Sequence, residues 1–86
     1  MKVTVRLFGA FRDYEPGAAV MLDMADGASV ADLREALASY GVTHWPGFRP
    51  GLLRVSAFAS ETTMLREHEK LPDDGRVVVL PPVSGG

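Results

Sequence analysis

The chain has 86 residues, which is enough for one domain with one hydrophobic core and too short for two. Hydrophobic residues make up 47% of it, as in folded globular proteins, and the formal net charge of −2 gives no support for nucleic-acid binding. It contains no cysteine, which excludes disulfide bonds, thiolate metal sites and a cysteine nucleophile.

The first quarter of the chain predicts two strands. Apolar and polar side chains alternate from Met1 to Phe8, which indicates a half-buried strand. Residues Gly9–Gly17 are expected to form a loop or irregular turn, and Ala19–Met24 a second short strand that completes a hairpin. By the alternation, Phe8 lies on the side opposite the apolar residues of the first strand. It is therefore expected to belong to an exposed apolar patch that binds a partner.

The clearest element is a helix over about Val30–Tyr40. Ser29 and Asp32 have the spacing of a capping box, although the box prefers Glu or Gln at its last position. Apolar residues then recur at helical spacing, and Gly41 is a natural left-handed terminator. The sequence predicts that this helix covers one face of a sheet.

The second half of the chain predicts three more strands. These are Leu53–Ser60, the very short Met64–Leu65, and Arg76–Leu80. The last of them is a continuous apolar run that suits a central strand buried on both faces. The Pro- and Gly-rich segment Thr43–Gly51 is expected to be irregular, and Arg66–Lys70 is expected to form a single helical turn.

The element order is strand, strand, helix, strand, short strand, strand. If the last strand pairs beside the first, the five strands form a mixed sheet with one main helix packed across it. That is the α+β roll called the β-grasp fold, and it is expected to occupy residues 1–80. Because one helix covers only one sheet face, the other face is expected to be polar or to bind a partner.

The last six residues, 81–86, form an uncharged tail with the sequence Pro-Pro-Val-Ser-Gly-Gly. Pro81 and Pro82 favour an extended backbone and cannot continue a central strand. The extended tail reaches roughly 20 Å. Gly85 and Gly86 have no side chains, so they contribute no packing but leave the terminal carboxylate unobstructed. The tail is therefore expected to project its end group into another protein.

The whole chain resembles the ubiquitin-like sulfur carriers, and among them the small subunits of molybdopterin synthase. The pattern Leu71-x-Asp73-x-x-x-Val77 leads into an apolar strand, which the Pro-Pro-Val-Ser-Gly-Gly ending follows. The opening segment Lys2–Arg12 also looks like the first strand and loop of that family. The resemblance implies the β-grasp fold and a role in molybdenum cofactor biosynthesis.

The resemblance also implies the chemistry of the chain end. An E1-like adenylyltransferase uses ATP to adenylate Gly86, and a persulfide-derived sulfur then displaces AMP to leave a thiocarboxylate. The large subunit of molybdopterin synthase transfers this sulfur to cyclic pyranopterin monophosphate. Gly86 is thus the reacting position. The tail residues Pro81, Pro82, Val83, Ser84 and Gly85 are expected to bind the partner, together with Phe8, which is chosen from the alternation in the first strand.

The resemblance further implies a sulfur-donating subunit that is not itself catalytic. The catalytic groups are expected on the large subunit, with which the chain would form a heterotetramer of two copies each. The residues show no metal cluster or phosphate loop, so no bound cofactor or metal is expected. No apolar run approaches the roughly 20 residues that span a bilayer, and no secretory signal is visible, so a cytoplasmic protein is expected.

Other functions remain open at this stage. The same sulfur chemistry serves thiamine, cysteine and tRNA thiolation pathways, although thiamine carriers tend to lack the two prolines before the valine. A ubiquitin-like modifier would pass the activated glycine to a lysine amine, and a plain interaction module would not use the tail chemically. His44 and His68 are expected to be solvated surface residues, because each stands alone in polar or loop sequence.

Overall fold

The first and last strands of the chain lie side by side at the centre of one sheet. The computed structural model describes residues 1–82. Its five strands are β1 (Lys2–Leu7), β2 (Ala19–Asp23), β3 (Ala57–Ala59), β4 (Met64–Leu65) and β5 (Arg76–Leu80). Their order is β2-β1-β5-β3-β4, in which β1 and β5 are parallel and the other pairs antiparallel. The predicted mixed sheet is confirmed.

One long helix, α1 (Val30–His44), packs against one face of this sheet. Its capping box is present: the Ser29 hydroxyl accepts from the Asp32 N–H at 3.2 Å, and the Asp32 carboxylate accepts from the Ser29 N–H at 2.9 Å. The core includes fully buried side chains from α1, the sheet and the loop after β1, among them Val3, Val5, Leu7, Phe11, Leu33, Leu37, Phe58, Val77 and Val79. Within residues 1–82, no helix has the length and apolar character needed to cross a bilayer.

The helix α1 runs one turn further than predicted, because Gly41 does not end it. Gly41 is buried, and a Cβ at that position would lie 2.7 Å from the Trp45 ring and 2.8 Å from the Phe48 ring. The two aromatic rings therefore pack directly on the helix backbone. The glycine serves close packing, and the prediction of a left-handed terminator was wrong.

A short second helix, α2 (Pro50–Arg54), follows the irregular residues after α1. The predicted strand Leu53–Ser60 was therefore wrong in its first half, since only Ala57–Ala59 is strand. Proline fits the first turn of a helix because its missing N–H has no partner there, so Pro50 begins α2 instead of preventing it. Residues Arg66–Lys70 form a turn and not the expected helical turn.

The segment between β1 and β2, expected to be a loop, forms two 3₁₀ helices, Gly9–Tyr14 and Pro16–Ala18. Phe11 is fully buried and anchors the first of them in the core. Between them, the Glu15 carboxylate accepts a hydrogen bond from the Trp45 indole N–H at 2.9 Å. The segment is thus held both by the core and by the residue that follows α1.

The strand β5 is central, as predicted, but it is fully buried on one face only. Val77 and Val79 point into the core under α1, whereas Val78 and Leu80 lie half-buried on the opposite face. An apolar run in the sequence therefore does not show whether both faces of a strand are covered or only one.

Arg34 on α1 connects three segments that are distant in the sequence. Its guanidinium donates to the carbonyl oxygens of Leu53 and Ser56, the latter at 2.6 Å, and to the Glu67 carboxylate at 2.7 Å. Its Cζ also lies 4.9 Å from the centroid of the Phe58 ring. The hydrogen bond from Arg34 holds the pKa of Glu67 below its ordinary value.

We predict that Glu67 stabilises the fold at neutral pH and loses that effect in acid. A carboxyl whose pKa is lower in the folded chain contributes above its unfolded pKa, and the contribution disappears as the pH falls through the folded pKa. Glu67→Gln should lower the free energy of unfolding at pH 7 by less than about 1 kcal/mol, because the pair is partly exposed. The measurement is urea unfolding at several pH values.

With Glu67→Gln, the free energy of unfolding should also fall less steeply between about pH 5 and pH 3 than it does in the wild type. Glu35→Gln, which changes an exposed carboxyl on α1 next to Arg34, is the control and should leave that slope in place. Parallel pH curves for Glu67→Gln and the wild type would contradict the prediction.

Candidate functional site

The parallel pairing of β1 and β5 places the loop after β1 beside the start of the tail. Parallel strands run in the same direction, so the residues that follow them leave the sheet at one edge. The register pairs Leu7 with Val79, which brings Gly9 next to Pro81 two positions later. The tail therefore leaves the domain beside the loop that contains Phe8.

The sheet face opposite α1 presents a row of side chains that crosses all five strands. The strand register sets its members, which are Ala19, Arg6, Val78, Ala59 and Met64 in the order of the strands. We call this surface, with the neighbouring Thr4, Met21, Arg76 and Phe8, the open face. Its large apolar side chains are exposed: Met21 is 63% and Met64 57% exposed.

A shallow groove lies on the open face near the tail. Its lining includes Thr4, Arg6, Phe8, Val78 and the Arg76–Glu61 ion pair, in which the charged atoms are 3.0 Å apart. Phe8 is 40% exposed, so its predicted exposure is confirmed, whereas its role in binding a partner stays a prediction. Apolar surface rimmed by charged groups is typical of protein interaction sites.

The tail itself is described only at its base. Pro81 is half-buried and Pro82 is exposed. The residues on which the predicted chemistry depends, Val83, Ser84, Gly85 and Gly86, lie outside the described residues. Their roles stay predictions.

The chemical groups of the open face suit binding better than proton transfer. Arg6 and Arg76 supply guanidinium hydrogen-bond donors and no acceptor, and the apolar side chains beside them carry no proton to exchange. In the described part of the chain, no three His, Asp or Glu side chains lie together in a group that could hold a metal ion. His44 and His68 are exposed, as predicted, and the His44 ring lies 4.3 Å from that of Tyr40.

The sequence reasoning missed Gly9. Its φ is +57°, in the left-handed region, and a Cβ on it would lie 2.6 Å from Cγ of Pro81. A glycine directly after a strand was the only signal in the sequence, and it did not distinguish this close approach from an ordinary turn. Only the β1–β5 register shows that the residue faces the tail.

Comparison with known proteins supports both the fold and the family. The model of the ThiS family matches residues 5–86 of the chain. A search of the curated proteins found no match.

Several solved structures are similar over nearly the whole chain. A candidate molybdopterin converting factor, subunit 1, from Pyrococcus furiosus is 26% identical, with a TM-score of 0.70 over 95% of this chain and 98% of its own. SAMP1 from Haloferax volcanii is 21% identical, with a TM-score of 0.68 over 100% of both chains. The Caldiarchaeum subterraneum ubiquitin is 18% identical, with a TM-score of 0.63 over 100% of this chain and 98% of its own. These likenesses confirm the ubiquitin-like β-grasp fold.

We predict that Phe8 contributes little to the stability of the isolated domain. Phe8→Ala should cost less than about 1 kcal/mol of unfolding free energy, because its side chain is already partly in water. The matched control is Phe11→Ala, three residues later and fully buried, which should cost about 3–5 kcal/mol. Urea unfolding followed by circular dichroism measures both, and equal losses would show that Phe8 is a core residue.

Proposed function

Because the chain belongs to the ThiS family of ubiquitin-like sulfur carriers, we propose that it is the sulfur-donating small subunit of a molybdopterin synthase. The observation that supports this most is the family match, which extends through the Pro-Pro-Val-Ser-Gly-Gly segment to Gly86. The structural likeness to a candidate molybdopterin converting factor subunit favours this pathway over other sulfur pathways.

In the proposed chemistry, Gly86 carries the reacting group. A carboxylate resists nucleophiles, because its charge is delocalised and oxide is a poor leaving group. An oxygen of the Gly86 carboxylate therefore first attacks the α-phosphate of ATP on an E1-like adenylyltransferase, and pyrophosphate leaves. The outer sulfur of a protein persulfide then attacks the carbonyl carbon and displaces AMP, which leaves an acyl disulfide. A thiol co-reactant attacks the inner sulfur of that disulfide, forms a new disulfide with it and releases the carrier. The product is a thiocarboxylate, a soft nucleophile that no side chain of Gly86 obstructs.

The open face and the tail have separate tasks in this proposal. The open face binds the partner through Phe8, Val78 and Met64, whose apolar surface is removed from water on docking. Pro81 and Pro82 reduce the conformational freedom that the tail loses when it enters the partner, so less binding energy is spent on ordering it. The tail residues Val83–Gly86 then place the carbonyl in the partner's active site.

The partners supply what the open face lacks. The large subunit provides the acid–base groups for sulfur transfer to cyclic pyranopterin monophosphate, and two copies of each subunit assemble into a heterotetramer. The activating enzyme binds the ATP, so the carrier needs no cofactor of its own. The Arg6 and Arg76 guanidinium groups favour an acidic rim on the partner surface that meets the open face.

The function is tested by reconstitution with an E1-like adenylyltransferase, ATP, a sulfur donor, the large subunit and the pterin precursor. We expect the intact mass of the carrier to rise by the difference between one sulfur and one oxygen, and the thiocarboxylate form to yield molybdopterin. The same spectrum verifies that Gly86 ends the polypeptide. Deletion of Gly86 should abolish sulfuration, whereas Ser84→Ala keeps the terminal glycine and should be sulfurated.

The outcomes separate the candidates. A deletion variant that still supports dithiolene formation would overturn the proposal. A carrier that is sulfurated but inactive with the large subunit would belong to another sulfur pathway, which is the second candidate because the family match does not specify the pathway. Adducts on the lysines of other proteins would indicate a protein modifier.

We also predict that Phe8 contributes to partner affinity. Phe8→Ala should weaken binding to the large subunit about tenfold, as expected for an aromatic anchor that is buried on docking. Isothermal titration calorimetry measures the effect. Val42→Ala is the matched control: Val42 is 63% exposed but lies on α1, away from the open face, so its substitution should leave the affinity unchanged. Equal losses in both variants would exclude the open face as the docking surface.

A further inference from the structure

We propose that Gly9 is a positioning residue for the tail. Its missing side chain lets the Pro81 ring rest against the backbone after β1, and this contact sets the direction in which the residues after Pro81 leave the domain. The consequence for sulfur transfer rests on the proposed function, whereas the contact and the direction of the tail do not.

The contact is too close for any other residue at position 9. A Cβ there would lie 2.6 Å from Cγ and 3.3 Å from Cδ of Pro81, and 2.6 Å is closer than Cβ atoms approach other carbons in proteins. The φ of +57° at Gly9 adds a second reason, because other residues rarely adopt it. Any side chain at this position must therefore displace either the loop or the proline.

Of the two segments that would clash, the loop after β1 is the one that is held in place. Phe11 is fully buried, its N–H donates to the Phe8 carbonyl oxygen at 3.2 Å, and Glu15 is bonded to the Trp45 indole. Pro81 is only half-buried, and Pro82 beyond it is exposed. A clash between position 9 and Pro81 is therefore relieved by movement of Pro81.

Movement of Pro81 redirects the tail, because the ring is part of the backbone and its φ is locked. An extended tail is about 20 Å long, so a rotation of about 10° at its base moves its end by about 3.5 Å. A misplacement of about 1 Å can reduce the rate of a group transfer up to about a hundredfold. Gly9 thus influences the position of the reacting carbonyl, although it contacts only the base of the tail.

The experiment compares Gly9→Ala with a control that also has a left-handed backbone. Gly27 has a φ of +83°, and within residues 1–82 no heavy atom other than those of Gly27 and its two chain neighbours lies within 4 Å of the point that its Cβ would occupy. Gly27→Ala therefore tests left-handed strain without a contact to the tail. The double variant Gly9→Ala with Pro81→Ala removes the ring atoms that the new Cβ would meet. Thermal unfolding verifies that each variant is folded.

The first readout needs no partner protein. Because the chain has no cysteine, Ser84→Cys provides a unique site for a nitroxide spin label, which broadens the NMR signals of amides near it. In Gly9→Ala the set of broadened amides should change. It should stay as in the wild type in Gly27→Ala. The double variant should show the same set as the single variant Pro81→Ala, because a Cβ at position 9 meets no ring atoms once the proline is gone.

Three results would overturn the inference: an unchanged set in Gly9→Ala, an equal change in Gly27→Ala, or a double variant whose set differs from that of Pro81→Ala alone. The second readout is the kinetics of thiocarboxylate formation in chains without the label. Gly9→Ala should lower kcat about tenfold and change KM by less than about twofold, because the open face still docks. A wild type that is never sulfurated would overturn the proposed function, while the label would still decide the role of Gly9.

Discussion

The parallel pairing of β1 with β5 is the constraint on which the rest of the molecule depends. It joins the two ends of the chain, and its register places Val5 beside Val77 and Leu7 beside Val79 in the core under α1. The same pairing has a further effect, because it brings the loop after β1 to the edge at which the tail leaves. The centre of the sheet and the base of the tail are therefore set by one long-range contact.

Local patterns in the sequence were sufficient for the elements whose signals are local. The alternation in β1 and the capping box at Ser29 depend on neighbouring residues, and both predictions are confirmed. The errors occurred where side-chain packing and hydrogen bonds decide the backbone structure. Gly41 lies inside a helix because two aromatic rings pack on it, and Pro50 begins a helix in which the Leu53 carbonyl accepts from Arg34. Neither cause can be read from adjacent residues.

In the candidate site, too, some features could be predicted from local sequence patterns and others could not. The exposure of Phe8 followed from the strand period, because the period alone decides which side of a strand a residue occupies. The row of side chains across the open face did not follow from the strand period, because its members are set by the register of four strand pairs. The contact between Gly9 and Pro81 also required that register. Sequence periodicity thus predicts which residues face outward, and only the sheet shows which of them lie together.

The open face has a consequence for the order of events in the proposed cycle. In this proposal, the activating enzyme and the synthase large subunit would both dock on this surface and take up the same tail. The two enzymes would therefore compete for the carrier and could not bind it at the same time. Each complex must dissociate before the next one forms. Very tight binding to either enzyme would therefore stall the other, and the dissociation rates set an upper limit on how fast sulfur moves between them.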